Sequence, residues 1–178
     1  MIGLQSKKIE ILHRRIMDLR TGQQKNLPIE DYQKKFNLIN VASFVGLVIS
    51  SDVLKQIGLP RYDLFSQFDD TDYSLKISQN TPIVNVSSAL IRHPEFPQTK
   101  YTANWKTYYA LRNEQIVLKE YFSKSAYHRL LRRRKFEFIK CCLKGLFVKR
   151  SRVWAKIRYD ALADGKQNRV GINKKYLP

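Results

Sequence analysis

Cysteine is almost missing from this 178-residue chain: Cys141 and Cys142 stand side by side and there are no others. Two adjacent thiols cannot frame a disulfide-rich secreted domain and lack the spacing of a zinc site. A reduced, cytosolic setting is therefore expected. Glycine and proline are scarce too, seven and six residues, which excludes collagen-like and low-complexity chains. Long apolar runs are also lacking. The most apolar stretches are Leu38–Ile49 and Phe136–Val148, the second broken by Lys140 and Lys144. Both fall short of the roughly 20 residues that cross a bilayer. Met1–Arg20 alternates basic and apolar residues too finely for a signal peptide. A soluble protein, or one lying on a membrane surface, is expected.

Acid is the remaining shortage. Fifteen Asp and Glu face 33 Lys and Arg, a formal charge of +18. At 43% hydrophobic and 12% aromatic, the composition is nevertheless that of a folding chain with a modest core. The charge is uneven. Residues 1–99 balance to +2, residues 100–127 to +3, and residues 128–178 to +13, with 16 bases against 3 acids. Such an end is drawn to polyanions, either nucleic-acid phosphates or anionic lipid head groups, unless it is only a solvated face.

The apolar rhythm Ile9, Ile11, Leu12, Ile16, Leu19 predicts one strand or short helix, followed by a loop over Thr21–Pro28. Phe36–Ser50 is β-rich, and Gly46 within it suggests a bulge or a close backbone approach. Ser50 or Ser51 can cap a short helix over Asp52–Ile57, stopped by Gly58 and Pro60. Gln67–Gln79 predicts a helix with Asp69 and Asp70 at its start, and Pro82–Ile91 a further β segment. No Pro or Gly occurs between Thr99 and Gly145. Two helical runs are expected, one from Tyr101 and one over Ala126–Ile157, the second as one or two amphipathic helices with a cationic face. Ala163–Pro178 is expected to be loose. Together these elements argue an α/β layer followed by a basic helical region.

The densest chemistry is acidic. Asp69, Asp70 and Asp72 lie within four residues, and carboxylates so close repel unless a cation, a proton or a helix terminus compensates. They suit hard-metal binding or general-base work, and equally an N-cap with first-turn acids. His93 closes the following β segment, where a packed surface role competes with a ligand role. His13 and His128 carry no functional signal. Trp105 reads as a core anchor that could also line a groove, and Cys141 and Cys142 as packed small hydrophobes.

An ordered series runs through these residues: Phe44-Val45-Gly46, Ile57-Gly58-Leu59-Pro60, Phe65, Phe68-Asp69-Asp70-Thr71-Asp72-Tyr73-Ser74-Leu75-Lys76, and Ile91-Arg92-His93. It resembles the acceptor-side half of family 2 glycosyltransferases, especially their rhamnosyl- and galactofuranosyl-transferase-like members. Tyr108-Tyr109-Ala110-Leu111-Arg112-Asn113 resembles the segment that follows this half in the same group, and Ala163-Asp164-Gly165 with Gly171 is similar to its glycine-containing tail. The likeness covers roughly residues 36–171.

The resemblance implies a partial GT-A-type, Rossmann-like domain: residues 1–99 would be its C-terminal half, and residues 100–178 a helical basic tail able to dock on a membrane surface. It implies inverting transfer of a sugar from a nucleotide-sugar donor to a lipid-linked or polysaccharide acceptor, in cell-wall or exopolysaccharide synthesis. Asp70 would be the base and Asp69 its support. His93 would help hold a divalent cation, Mg2+ or Mn2+, while Asp72, Gly46, Trp105 and Lys76 would contact substrates. Lys76 stands where that family usually carries Arg, which keeps the charge but loses the planar fork. Only 43 residues precede Phe44 and none of them forms an Asp-x-Asp motif, so the resemblance further implies the C-terminal piece of a longer enzyme, from a split or a truncated gene, whose missing N-terminal half would be a partner in the split case, and little activity from this chain alone. The competing expectation is a basic nucleic-acid-binding protein, or a non-catalytic membrane-surface protein, although no nucleic-acid motif appears.

Overall fold

The structure, a computed structural model, describes residues 2–4, 6–94 and 103–178. It is mixed α/β, with helix far outweighing strand and the strands confined to small sheets. The chain divides into two compact units. The sequence boundary expected at residues 99 and 100 lies outside the described residues.

The first unit comprises residues 1–18, 23–60 and 70–100. Strand β1 (Ile2–Gly3) pairs in parallel with β7 (Arg92–His93). Strand β2 (Arg14–Asp18) lies between β3 (Gln23–Asn26) and β5 (Val41–Ala42), antiparallel to both. Strand β4 (Phe36–Ile39) pairs antiparallel with β6 (Ile83–Val86), setting Asn37 opposite Asn85. Burial alternates along this pair, with Asn37, Ile39, Ile83 and Asn85 turned inward and Phe36, Leu38, Val84 and Val86 exposed. Helix α1 (Ser51–Ile57) starts where the Ser50 hydroxyl accepts from the Val53 N–H and stops at Gly58, whose φ of 76° few other residues tolerate. Helix α2 (Asp69–Ser78) lays Tyr73 and Ile77 into a core with Leu27, Ile39, Ala42, Ile57 and Ile83. The Ser74 hydroxyl exchanges hydrogen bonds with the Ala42 backbone, and the Tyr73 hydroxyl donates to the Gly58 carbonyl at 2.7 Å.

The second unit holds residues 19–22, 61–69 and 101–178. Its frame is α3 (Trp105–Tyr121), α4 (Lys124–Gly145) and α5 (Lys149–Lys166), packed on one another. Asn104 and Thr107 close a reciprocal capping box on α3, and Ser123 caps α4. Tyr108, Tyr109, Ile157 and Ala161 form its apolar core, with Trp105, Leu111 and Tyr176 against them.

The loop expected over Thr21–Pro28 contains a strand, β3, and three further expectations need correction. The β character of Phe36–Ser50 ends at Ala42, and residues 43–50 are irregular. Leu47 and Ile49 still pack on the core, so the apolar pattern marked burial rather than strand. Ala163–Pro178 is not loose: α5 runs to Lys166, and beyond it the Gly171 N–H donates to the Asp63 carbonyl. Tyr176 stacks on Tyr108 with ring centroids 4.1 Å apart and donates to Asp160 at 2.8 Å. Finally, only Cys141 is partly buried, and Cys142 is exposed.

Candidate functional site

Asp69 and Asp70 open α2, where unpaired backbone N–H groups and the positive end of the helix dipole favour carboxylates. Both are half-buried. The Thr71 hydroxyl donates to Asp70 Oδ1 at 3.1 Å and accepts from Arg15 Nη2 at 2.9 Å. Arg15, reaching across from β2, therefore stands behind the carboxylate. Burial depresses the Arg15 pKa, and the negative charge of Asp70 opposes that depression. Asp72 is buried at 2% exposure, on the core side of the same helix. Lys76 lies partly buried in the last turn, a favourable place for a cation.

The segment leading into α2 is tense. Phe65, Gln67 and Phe68 all have φ between 65° and 67°, a region that costs a residue with a Cβ roughly 1–2 kcal/mol. Within the second unit, two neighbours on α3 hold it. Asn113 Nδ2 lies within 2.9 Å of the carbonyls of Leu64, Ser66 and Gln67, while Arg112 donates to the carbonyls of Leu64 and Gly171. Both side chains are buried. The Arg112-Asn113 pair thus fixes the backbone turn from which Asp69 emerges. In the sequence the pair is visible only as part of a resemblance; its physical task depends on the fold.

Gly46 adopts φ 72°, and a Cβ built there would come within 2.5 Å of Ile91 Cδ1. The expected close approach is therefore present. Gly46 lines an open cleft of about 400 Å3 in the first unit, together with Arg14, Leu47, Thr81 and Asn85. Arg14 Nη2 donates to the Val45 carbonyl at 3.2 Å, which holds a cation at the mouth of the glycine turn. The Asn85 amide nitrogen is buried with no hydrogen-bond partner among the described residues. A cleft that sets Arg14, the Asn85 amide and the hydroxyl residues Ser50 and Thr81 among apolar side chains suits a hydroxyl-bearing, anionic ligand.

His93 is half-exposed, and its Nδ1 lies 2.7 Å from the Pro94 carbonyl. If Nδ1 carries the proton in that bond, Nε2 holds the lone pair. Its ring meets His13 edge-on, centroids 5.9 Å apart. This neighbour carried no signal in the sequence, because 80 residues separate the two. His13 Nδ1 is 2.8 Å from the Ser43 hydroxyl. Burial, helped by the charge of Arg14 and by His93, lowers the His13 pKa to about 4.

The described residues contain no group of three His, Cys, Asp or Glu side chains arranged to hold a metal ion. Asp69, Asp70, Asp72 and His93 do not form such a group, so they do not by themselves fit a divalent-cation site. Trp105 opens α3 in the second unit and packs against Phe65 and Tyr109, both with centroids 6.1 Å away. Comparison with known protein families, with characterised proteins and with solved structures yields no match.

Proposed function

We propose that the chain is the acceptor-side part of an inverting glycosyltransferase with a partial GT-A-type fold, working at the cytoplasmic face of a membrane in cell-wall or exopolysaccharide synthesis. The observation that carries this reading is the acidic start of α2: two half-buried carboxylates, with Arg15 and Thr71 behind Asp70. In this reading Asp70 takes the proton of an acceptor hydroxyl as that oxygen attacks the anomeric carbon. The new carbon–oxygen bond forms as the bond to the nucleoside diphosphate breaks, and the diphosphate leaves with the electron pair. Asp69 positions the acceptor hydroxyl or supports the base, and Asp72, Lys76 and Gly46 are the further substrate contacts. The Gly46 cleft, with Arg14 at its edge, supports a sugar or diphosphate-bearing ligand. The nucleotide sugar, with any divalent cation near His93, is held chiefly by a complementary donor-binding half.

The test is sugar transfer by the chain combined with such a half, across a panel of nucleotide sugars and a lipid-linked acceptor. Asp70→Asn keeps the Thr71 contact geometry but removes the base, and kcat is expected to fall about 1000-fold with KM little changed. Unaltered transfer by Asp70→Asn overturns the assignment.

A further inference from the structure

The long helix α4 shows the wrong face to water. Its residues Phe136, Ile139 and Leu143 follow the i, i+3, i+7 spacing of a single helical stripe, and all three are more than half exposed. The stripe does not end with the helix. At the turn between α4 and α5 it continues into Leu146, Phe147 and Val148, and Phe147 is 91% exposed. An outward apolar ridge of this length is not a scatter of single surface residues.

Charge identifies what covers it. From Phe138 to Tyr159 the chain contains seven Lys and Arg and no acid. Lys135, Lys140 and Lys144 flank the stripe, and Lys149 and Arg150 follow the turn; all five are exposed. The nearest acid before this stretch, Glu137, is taken by Arg134 and Arg158. A second copy would bring cation against cation. Nucleic acid would satisfy the charges but leave Phe147 and Leu146 in water. An anionic bilayer surface meets both demands, since aromatic and aliphatic side chains enter the acyl boundary while the long basic stems reach back to the phosphates. No helix among the described residues is long and apolar enough to cross a membrane.

We infer that the ridge Phe136–Ile139–Leu143–Phe147, with its lysine flanks, is a monotopic docking edge for anionic lipid, entered by the α4–α5 turn. It stands independently of the transferase reading, because it is measured without any sugar donor. It sharpens the general attraction of a basic tail into a defined edge with a defined tip.

The experiment is co-flotation of the full chain with vesicles of phosphatidylcholine alone or with about one-third phosphatidylglycerol. Strong binding to the anionic vesicles and weak binding to the neutral ones is expected. Phe147→Ser with Leu143→Ser is expected to weaken anionic-vesicle binding about tenfold or more, as is Lys140→Glu with Lys144→Glu. These positions are exposed, and circular dichroism melts verify that the variants stay folded. Absence of binding to anionic vesicles overturns the inference. So does equal binding to both vesicle types, or a dimer that Phe147→Ser dissolves. Binding that the lysine pair abolishes and the Phe147–Leu143 pair leaves untouched also overturns it, because charge alone would then account for the attraction.

Discussion

A single buried histidine illustrates how position rewrites chemistry. His13 is 7% exposed, touches His93 and Ser43, and lies beside Arg14 and Arg15. Its pKa falls to about 4 from the ordinary 6.5, chiefly through burial. The folded state therefore holds His13 neutral in a range where the unfolded chain protonates it. The stability this provides is complete above pH 6.5 and is lost as the pH falls toward 4, by up to about 3 kcal/mol. Urea unfolding at pH 7 and pH 4.5 checks it. The loss on acidification is expected to be larger for the native chain than for His13→Gln, whatever their stabilities at pH 7. Equal losses would remove His13 from the account.

At the scale of elements, close approach outweighs propensity. Gly165 lies in α5, where Ala would ordinarily be preferred by about 1 kcal/mol. A Cβ there would sit 2.6 Å from Gln115 Nε2 and 2.8 Å from Gln115 Cδ. Gln115 is buried and cannot swing away freely, since its amide donates to the Leu111 and Ala161 carbonyls. Gly165→Ala is thus expected to destabilise the protein by about 1–3 kcal/mol, in spite of the better helix former. A thermal melt decides between the signs. Between α3 and α4, Glu114 is buried against Arg134. Burial alone would depress the Arg134 pKa, but Glu114 and Glu137 outweigh it and raise it. Such a buried pair is costly to break from one side.

Across the whole molecule, charge is the largest unbalanced quantity. The second unit carries 22 Lys and Arg against 7 Asp and Glu, while the first carries 11 against 8. Every acid on α3, α4 and α5 is already in an ion pair, and the cations of the second unit outnumber its acids about threefold. Self-repulsion of this kind is long-ranged and screened by salt. The melting temperature is therefore expected to rise by several degrees between about 20 and about 300 mM NaCl. A fall on adding salt would show that the ion pairs dominate the repulsion.

The sequence by itself determined the local stops and starts: the Ser50 cap, the Gly58 terminator, the acids opening α2, and the helical character of the chain after residue 103. These rest on interactions within a few residues, which a linear reading contains. It also determined the charge asymmetry and the apolar–basic character of residues 136–150. Three-dimensional packing alone decided that Arg61–Asp69 belongs with the helices, because Arg112 and Asn113 bind its carbonyls from more than forty residues away. It likewise brought His13 to His93 and Arg15 to Thr71, and it tied down the Gly171–Tyr176 end. It also turned the apolar stripe of α4 outward. Period and composition state that a helix has an apolar face; only the neighbours it packs against settle whether that face is buried or left to meet a surface.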